Sequence, residues 1–499
     1  MRKEYGFFLI LILIGVITLF LEIKPAIGKD ESVNLVEKSR VFSEKGEFKS
    51  AIEMLEGGLK NPAFSTEEKK LIEWEIERLR RVKLDYSLTE DELFKELDES
   101  VRALTKEEFL SWQEKGYFDC LKIDGKKLFV EASVSNLFFA HPELRDRRKD
   151  EIFKKKNTEF GLKLIKHLRE IKKAVEIEEN PYVLPVKVRG EMKVTPKEQF
   201  VKEGKKVRCW IPFPHVFPLQ PRAELISSYP AVSWLAQPQS LIRSAYLEDI
   251  VKKNTPLYFS IKYEYEVYSF YQKVEPEKVI PYYSDSEAVL CYLKEQSPHI
   301  VFLPKFKEFS KELLKGESNP YFIAQKIYNW ISENIYYSYA REYSTLLNIP
   351  EMTFDLRRGD CGMEALLFIT LCRMNGVAAR WQSAWEFMDD TARMHDWAEI
   401  YLEPYGWLPV DQYMAIFAMS GEHNLTQAEK EELRDFYFCG IDHFRMVANK
   451  GQNQTLYPPK NSFRSETVDF QRGEIECENT NLYFGEFNYE MKLSAVLSK

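Results

Sequence analysis

The chain has 499 residues, of which 44% are hydrophobic and 14% aromatic, so it can build several cores and is not a disordered polypeptide. Its 70 basic and 78 acidic residues give a formal net charge of −8 without a basic stripe, which argues against nucleic acid as a partner. Seven scattered cysteines exclude a disulfide-rich scaffold, and their odd number leaves at least one thiol free.

The first segment of the chain predicts export. A basic start over residues 1–3 precedes an almost wholly apolar stretch over 7–21, and the small residues Ala26 and Gly28 end the segment. This order is typical of a signal peptide over 1–28. An uncleaved anchor is the alternative, although the apolar stretch is short for a membrane span of about 20 residues. We expect an exported protein that is periplasmic, at the cell surface or secreted.

Residues 29–180 are charged and predict a helical domain. The stretch 45–62, with Gly46, Ala51 and Gly58, resembles the second half of a tetratricopeptide repeat. One partial match does not indicate an array, because stacked repeats need about three units to be stable. We expect a single repeat-like hairpin within this domain, and a plain amphipathic helix pair is the alternative.

After residue 180 the hydrophobic pattern of the sequence changes from one typical of helices to one typical of strands. Residues 207–213 predict one strand, and between 257 and 270 apolar residues alternate with polar ones. Such alternation is typical of a half-buried antiparallel strand. We expect a β-sandwich over 183–285.

A helix with clear start and stop signals is predicted to begin at Cys361. Asp360 is a good N-cap residue, and Gly376 supplies a left-handed stop. The unpaired N–H groups at a helix start favour a thiolate, and Arg357 and Arg358 add positive charge nearby. Asp360 would oppose ionisation of the thiol, so we expect its oxygens to be occupied by the cap.

A base and an orienting carboxylate follow within a short distance in the chain. His395 opens a β-branched and aromatic stretch that predicts a strand, and the chain turns at 403–406 and returns to Asp411. We therefore expect His395 and Asp411 on neighbouring antiparallel strands. A nucleophile, a base and an orienting acid are the parts that nucleophilic catalysis needs.

Each of these residues also has a structural interpretation. A cysteine before an apolar helix is usually a small buried hydrophobe, and we interpret Cys372, three turns deeper on the same helix face, in that way. Taken together, and in their local contexts, Cys361, His395 and Asp411 favour catalysis over packing.

Three spaced blocks of sequence closely resemble the core signature of the bacterial transglutaminase-like superfamily. They are residues 358–362 (RGDCG), 395–402 (HDWAEIYL) and 406–411 (GWLPVD), and the helix over 330–337 resembles the one that precedes the cysteine in that family. The resemblance spans about 320–415. It implies a papain-like α+β core in which Cys361 opens a helix packed against an antiparallel sheet that carries His395 and Asp411.

The activity implied by the resemblance is acyl transfer at amide bonds through a thioester. Resolution by water would make the protein a peptidase or amidase, which we expect, and resolution by a primary amine would make it a protein-glutamine transamidase. A third alternative is a non-catalytic binding scaffold whose transglutaminase-like core is only structural. The expected substrate is a protein or peptide, cell-wall peptides included.

No cofactor or metal is expected, because no C-x-x-C, H-E-x-x-H or calcium-loop pattern occurs. Asp396 is expected to be an exposed strand residue. The tryptophans at 381, 385 and 407 are expected to pack, and lining of the substrate cleft is the alternative. Membrane contact is expected only through a retained N-terminal segment, and the oligomeric state is left open.

The predicted fold class is therefore multidomain α+β. After the helical domain and the β-sandwich, we expect a transglutaminase-like catalytic core over 286–420. A C-terminal β extension over 421–499 is expected to pack on that core.

Overall fold

The computed structural model of the chain describes residues 27–150, 152–282, 287–388 and 391–496. The predicted signal peptide over 1–28 lies, apart from its last two residues, outside the described residues. Within the part that is described, no helix is both long and apolar enough to span a bilayer. The chain divides into two compact units, residues 1–89 with 120–129 and residues 90–119 with 130–499.

The first unit combines a helical hairpin, a third helix and a small sheet. Gly58 lies so close to α1 that a Cβ atom there would meet Leu35 Cδ2 at 2.2 Å, so the missing side chain permits the close approach of α1 and α2. Ser65 and Glu68 form a capping box at the start of α3. The three strands pair in the order β1-β3-β2. The elements are α1 Ile27–Glu44, α2 Phe48–Leu59, α3 Thr66–Asp85, β1 Tyr86–Leu88, β2 Cys120–Ile123 and β3 Lys126–Val130.

The second unit begins with helices. They are α4 Glu90–Ser100, α5 Lys106–Glu114, α6 Ser133–Ala140 and α7 Phe153–Glu178. Helical segments therefore cover most of the stretch over 29–180 that is predicted to be helical. The resemblance to a tetratricopeptide repeat stays a prediction.

Two five-stranded antiparallel sheets follow, and both take strands from distant parts of the chain. The first has the order β15-β9-β4-β19, with β6 also paired to β9, and the second has the order β18-β17-β5-β8-β7. Buried residues of both sheets belong to one hydrophobic core. The strands are β4 Tyr182–Pro196, β5 Lys206–Pro212, β6 Arg222–Tyr229, β7 Trp234–Leu235, β8 Ser244–Ile250, β9 Phe259–Tyr271, β15 Gly440–Ile441, β17 Glu474–Cys477, β18 Thr480–Leu482 and β19 Phe487–Ala495.

The segment between these strands supplies a third sheet and the helices around it. The sheet has the antiparallel order β14-β13-β12-β16, and α12 packs against β12 and β13. Its strands are β12 Ala379–Met388, β13 Thr391–Leu402, β14 Gly406–Val410 and β16 Arg445–Asn449. Strands β10 Tyr336–Tyr337 and β11 Arg358–Gly359 pair in parallel as a separate two-stranded sheet. The helices are α8 Glu287–Leu290, α9 Pro304–Leu314, α10 Pro320–Asn334, α11 Ile349–Leu356, α12 Cys361–Met374, α13 Gln412–Met419 and α14 Gln427–Phe436.

The predicted multidomain α+β class is confirmed. Among the described strands of the expected C-terminal extension, β16 joins the sheet of β13, whereas β15, β17, β18 and β19 join the two larger sheets. Buried residues of β17 and β19 share one hydrophobic core with those of β13. Strand β19 pairs with β4 over nine residues, and β17 pairs with β5, so the end of the chain completes the two larger sheets.

Candidate active site

The start of α12 is built as the sequence predicts. Asp360 caps the helix, and its Oδ1 atom accepts hydrogen bonds from the Met363 N–H at 3.1 Å and from the Tyr343 hydroxyl at 2.5 Å. Gly376 follows the helix with a φ of +80°, the left-handed stop that was expected. Cys361 is therefore held as the first residue of the helix.

His395 and Asp411 are directly bonded to each other. Strands β13 and β14 are antiparallel neighbours with Ala398 opposite Val410, and the His395 Nε2 atom lies 2.8 Å from Asp411 Oδ2. Asp411 also caps α13, because its Oδ1 atom accepts from the Met414 N–H at 3.1 Å. Both side chains are buried. The ring nitrogen of His395 that remains for a reaction partner is Nδ1.

A buried arginine that was not predicted from the sequence, Arg445, forms an ion pair with Asp411 of this pair. Arg445, on β16, lies with Nη1 2.7 Å from Asp411 Oδ2 and with Nη2 3.1 Å from Asp442 Oδ2. The Tyr437 hydroxyl donates to Asp442 at 2.7 Å. An arginine within an apolar strand was the available signal, since a buried guanidinium needs carboxylate partners.

The neighbouring groups determine the protonation states of His395 and Asp411. Burial alone would raise the pKa of Asp411, but His395 and Arg445 lower it below its ordinary value. Burial likewise lowers the pKa of His395, and Asp411 more than offsets this, so the pKa of His395 lies above 6.5. Asp411 is therefore a carboxylate that favours the protonated imidazole.

The surroundings of the Cys361 thiol differ from the prediction. Burial, followed by Asp396, Asp360 and Glu364, raises the pKa of Cys361 well above 9. Arg357, expected to add positive charge, instead packs its guanidinium over the rings of Trp330 and Phe354, at 4.7 and 4.5 Å. Burial first, and the neighbouring carboxyl groups second, therefore favour the neutral thiol, whereas the helix start was expected to favour a thiolate.

Asp396 is also not the exposed strand residue that was expected. It is buried, and its Oδ2 atom accepts from the Cys361 thiol at an Sγ–Oδ2 distance of 3.4 Å. The Gln471 amide donates to Asp396 Oδ1 at 2.8 Å and to the His395 carbonyl at 3.2 Å. Burial raises the pKa of Asp396, and Asp360 raises it further. Asp396 therefore holds its proton more strongly than an ordinary aspartate.

Cys361 and His395 open onto one cavity of about 1260 Å³. Tyr413 also lines this cavity, and its ring lies 5.4 Å from that of His395. Trp385 also lines the cavity, which was the alternative to packing for this residue. Helical residues of the segment over 139–163 form a further part of the wall, including Phe139 and Phe160.

The structure thus joins His395 to Asp411 by a hydrogen bond and brings Cys361 to the same cavity as His395. Cys372 is fully buried, in agreement with its interpretation as a core residue. No disulfide bond joins any of the seven described cysteines. Within the described residues, no group of His, Cys, Asp and Glu side chains could hold a metal ion.

Residues 307–412 match the family model of the transglutaminase-like superfamily. Solved structures with some similarity to this chain include a candidate cysteine protease from Cytophaga hutchinsonii, which is 15% identical with a TM-score of 0.42 and covers 64% of this chain and 93% of its own. The periplasmic domain of TgpA from Pseudomonas aeruginosa is 14% identical with a TM-score of 0.26, over 49% of this chain and 95% of its own. A search of curated proteins finds no match.

An α+β fold in which a helix begins with a cysteine and packs on a sheet with a His–Asp pair agrees with the expected class of protein. The chain thus carries a transglutaminase-like domain over residues 307–412. The three predicted site residues all lie within the matched segment.

Proposed function

We propose that this protein is an exported cysteine acyl-transfer enzyme that hydrolyses amide bonds in peptides. Cys361 acts as nucleophile, His395 as acid and base, and Asp411 as the carboxylate that orients the ring. The observation that carries this proposal is that the helix-initiating thiol and the imidazole bonded to Asp411 open onto one cavity.

Acylation begins from a neutral thiol and a neutral imidazole. Cys361 Sγ attacks the amide carbonyl carbon while His395 Nδ1 takes the thiol proton. The C–N bond then breaks, and the same proton passes from Nδ1 to the leaving nitrogen. The products of this half are a free amine and a thioester on Cys361.

Deacylation reverses the roles with water as the nucleophile. His395 Nδ1 takes one proton from the water as its oxygen bonds to the acyl carbon, and the C–S bond breaks. The departing sulfur recovers the proton from Nδ1, which regenerates the thiol and releases the carboxylic acid.

The start of α12 supports stabilisation of the oxyanion. The N–H groups of Met363 and Glu364 are bound to the side chain and carbonyl of Asp360, so the donors that remain for a substrate at this helix start are those of Cys361 and Gly362. The positive end of the helix dipole favours a negative oxygen at the same point.

Two alternatives share part of this proposal. A transamidase would form the same thioester and release it to a primary amine, whereas a binding scaffold would form no thioester. A neutral resting thiol is compatible with catalysis only if His395 removes the thiol proton during attack. Thioester formation therefore separates enzyme from scaffold, and the acceptor separates hydrolase from transamidase.

The test uses the full-length protein against peptide and peptidoglycan substrates, with and without an added primary amine. We expect free acid as the product, a covalent acyl adduct on Cys361 by mass spectrometry, and no turnover by the Cys361→Ala variant. Cys120→Ala, which removes an exposed thiol, is the matched control and should keep full activity. Turnover by Cys361→Ala would remove the nucleophile, and amide product in place of acid would replace hydrolysis by transamidation.

A further inference from the structure

The carboxyl group of Asp396 is in direct contact with the nucleophile of the proposed reaction. Its Oδ2 atom lies 3.4 Å from Cys361 Sγ, within hydrogen-bond distance for sulfur. Asp396 is buried, and it lines the cavity together with Cys361 and His395. The triad of Cys361, His395 and Asp411 gives this carboxyl group no part, although it lies on the reacting atom.

The side chain of Gln471 determines which oxygen of Asp396 can carry a proton. Its Nε2 atom donates to the His395 carbonyl oxygen at 3.2 Å and to Asp396 Oδ1 at 2.8 Å. A backbone carbonyl oxygen only accepts, so the end of the Gln471 amide that faces both atoms must be the NH₂ group. Oδ1 is therefore an acceptor, and a proton on the carboxyl group sits on Oδ2, next to the sulfur.

The surroundings of Asp396 favour its protonated form. Burial, and then Asp360, raises the pKa of Asp396 to about 8, and His395 and the bond to Cys361 offset this only in part. The one guanidinium that pairs with acids in this part of the cavity wall, among the described residues, is that of Arg472, which binds Glu342 and Glu466. The charged or titratable groups that act on Asp396, or on which it acts, are Tyr343, Asp360, Cys361, His395, Glu466 and Asp469.

We propose that Asp396 is a further catalytic residue, which as a neutral acid donates a hydrogen bond from Oδ2 to Cys361 Sγ while negative charge is on the sulfur. This inference rests on the proposed function and adds a donor to it. In the resting protein the same oxygen accepts from the thiol, because the hydroxyl oxygen of a carboxylic acid can both accept and donate. When His395 Nδ1 takes the thiol proton, the Oδ2–H group turns its hydrogen toward the sulfur.

The proton of Asp396 stays on Oδ2 through the whole cycle, so the proton transfers of the proposed reaction are unchanged. Negative charge is on the sulfur twice, when Sγ attacks the carbonyl carbon and when the C–S bond breaks during deacylation. The hydrogen bond from Oδ2 stabilises the sulfur at both points. Ionisation of Asp396 would replace this donor by a second negative charge, so activity should fall at high pH.

Two substitutions distinguish a donor from a base. The full-length protein is assayed for kcat/KM at pH 7 on the substrate found in the screen. Asp396→Ala removes the donor and should lower kcat/KM by about tenfold to a hundredfold. Asp396→Asn should recover most of this loss, because its amide oxygen can accept from Gln471 while its NH₂ group donates to the sulfur. If Asp396 acted instead as a base, Asp396→Asn would be as impaired as Asp396→Ala.

The pH profile gives a readout that a merely structural aspartate would not change. Wild-type kcat/KM should fall along an alkaline limb with an apparent pKa near 8, and this limb should be absent from Asp396→Asn. Asp355→Asn, at a half-exposed aspartate that pairs with Lys305, is the matched control and should keep the limb. If neither Asp396 variant folds, the wild-type profile still decides, since a level kcat/KM up to about pH 10 would overturn the inference.

Alkylation of Cys361 by iodoacetamide tests the same hydrogen bond without a substrate. Followed by mass spectrometry at about pH 9, Asp396→Asn should react about tenfold faster than the wild-type protein, because a carboxylate beside the sulfur disfavours the thiolate. Equal alkylation rates, equal impairment of the two Asp396 variants, or an alkaline limb that persists in Asp396→Asn would overturn the inference. Absence of wild-type turnover contradicts the proposed function instead, and the alkylation rates remain measurable in that case.

Discussion

Gly362 is the residue where the start of α12 approaches its neighbours most closely. A Cβ atom at this position would lie 2.1 Å from the Tyr343 hydroxyl oxygen and 2.9 Å from Asp396 Oδ2. Neither contact is tolerated in proteins, so the absence of a side chain lets the helix start, Tyr343 and Asp396 meet. The glycine after the nucleophile is required by space and not by backbone conformation.

Gly362→Ala should therefore displace the thiol and lower kcat/KM on the substrate found in the screen by about a hundredfold or more, because small displacements of reacting groups are that costly. Gly57→Ala, a helical glycine with open space around its Cβ position, is the matched control and should be neutral or slightly stabilising. Full activity of Gly362→Ala would show that the close approach of Tyr343 and Asp396 does not matter for the reaction.

The pKa of His395 gives a pH dependence with a definite sign. Because Asp411 holds this pKa above 6.5, and because the base must be neutral, kcat/KM should rise with pH along a limb whose apparent pKa exceeds 6.5. Asp411→Asn removes the charge that raises the pKa, so its limb should move to lower pH while kcat falls by about a hundredfold to ten-thousandfold. A limb that stays in place in Asp411→Asn would contradict the assignment of the base.

The sequence was sufficient to predict the pairing of His395 with Asp411 but not the surroundings of the Cys361 thiol. The stretch around His395 and the return to Asp411 predicted antiparallel neighbours, and the caps at Asp360 and Gly376 were readable from local chemistry. The ionisation of Cys361 was not, because it depends on burial and on Asp396, whose side chain turns toward the thiol only in the folded sheet.

Strand β16 shows how one element completes the site from outside the matched segment. It pairs with β12 on the side away from β13, and it carries Arg445 to Asp411 and Asp442. The two aspartates and the guanidinium form a buried cluster that is neutral only if His395 carries a proton. The strand thus supplies both a sheet neighbour and the counter-charge for the orienting carboxylate.

Arg445→Met should destabilise the protein by about 3–5 kcal/mol, because it leaves two carboxylates buried without their shared cation. Thermal unfolding followed by circular dichroism should show a clearly lower midpoint. Arg189→Met, at an exposed arginine that pairs with Glu264, is the matched control, and its loss should cost at most about 1 kcal/mol. Similar midpoints for the two variants would mean that the buried cluster contributes little to stability.

Periodicity in the sequence predicts that a strand or helix has a buried face, and it predicts nothing beyond that. The alternation over 257–270 predicted β9 well, since one face of that strand is buried. The partners of the C-terminal strands were not predictable, because alternation shows that a strand has a buried face but does not show which sheet it joins. Helix α13 was missed because its short, mostly apolar sequence has no amphipathic period.

The candidate site takes side chains from parts of the second unit that lie outside the superfamily match over residues 307–412. The cavity wall takes side chains from the helical segment over 139–163, from the core and from the stretch over 466–472. The grouping of carboxyl side chains beside Cys361 could not be predicted from the sequence. These residues lie far apart along the chain, and each alone resembles an ordinary charged surface residue.

A fragment limited to the predicted core over 286–420 should therefore be inactive and should lack a cooperative thermal transition. It lacks β16, so β12 becomes an exposed edge and Asp411 loses Arg445. The measurement compares near-ultraviolet circular dichroism and turnover of the fragment with those of the full-length protein. A cooperative, active fragment would show that the C-terminal strands are dispensable.

The passage of the chain between its two units constrains the order of events during synthesis. Residues 90–119 belong to the second unit, yet the central strand of the first unit, β3, comes only after them. The ribosome must therefore release the polypeptide beyond residue 129 before the small sheet can close around that strand. A nascent chain halted before this point would expose unpaired strand edges, which gives chaperones a defined window in which to bind.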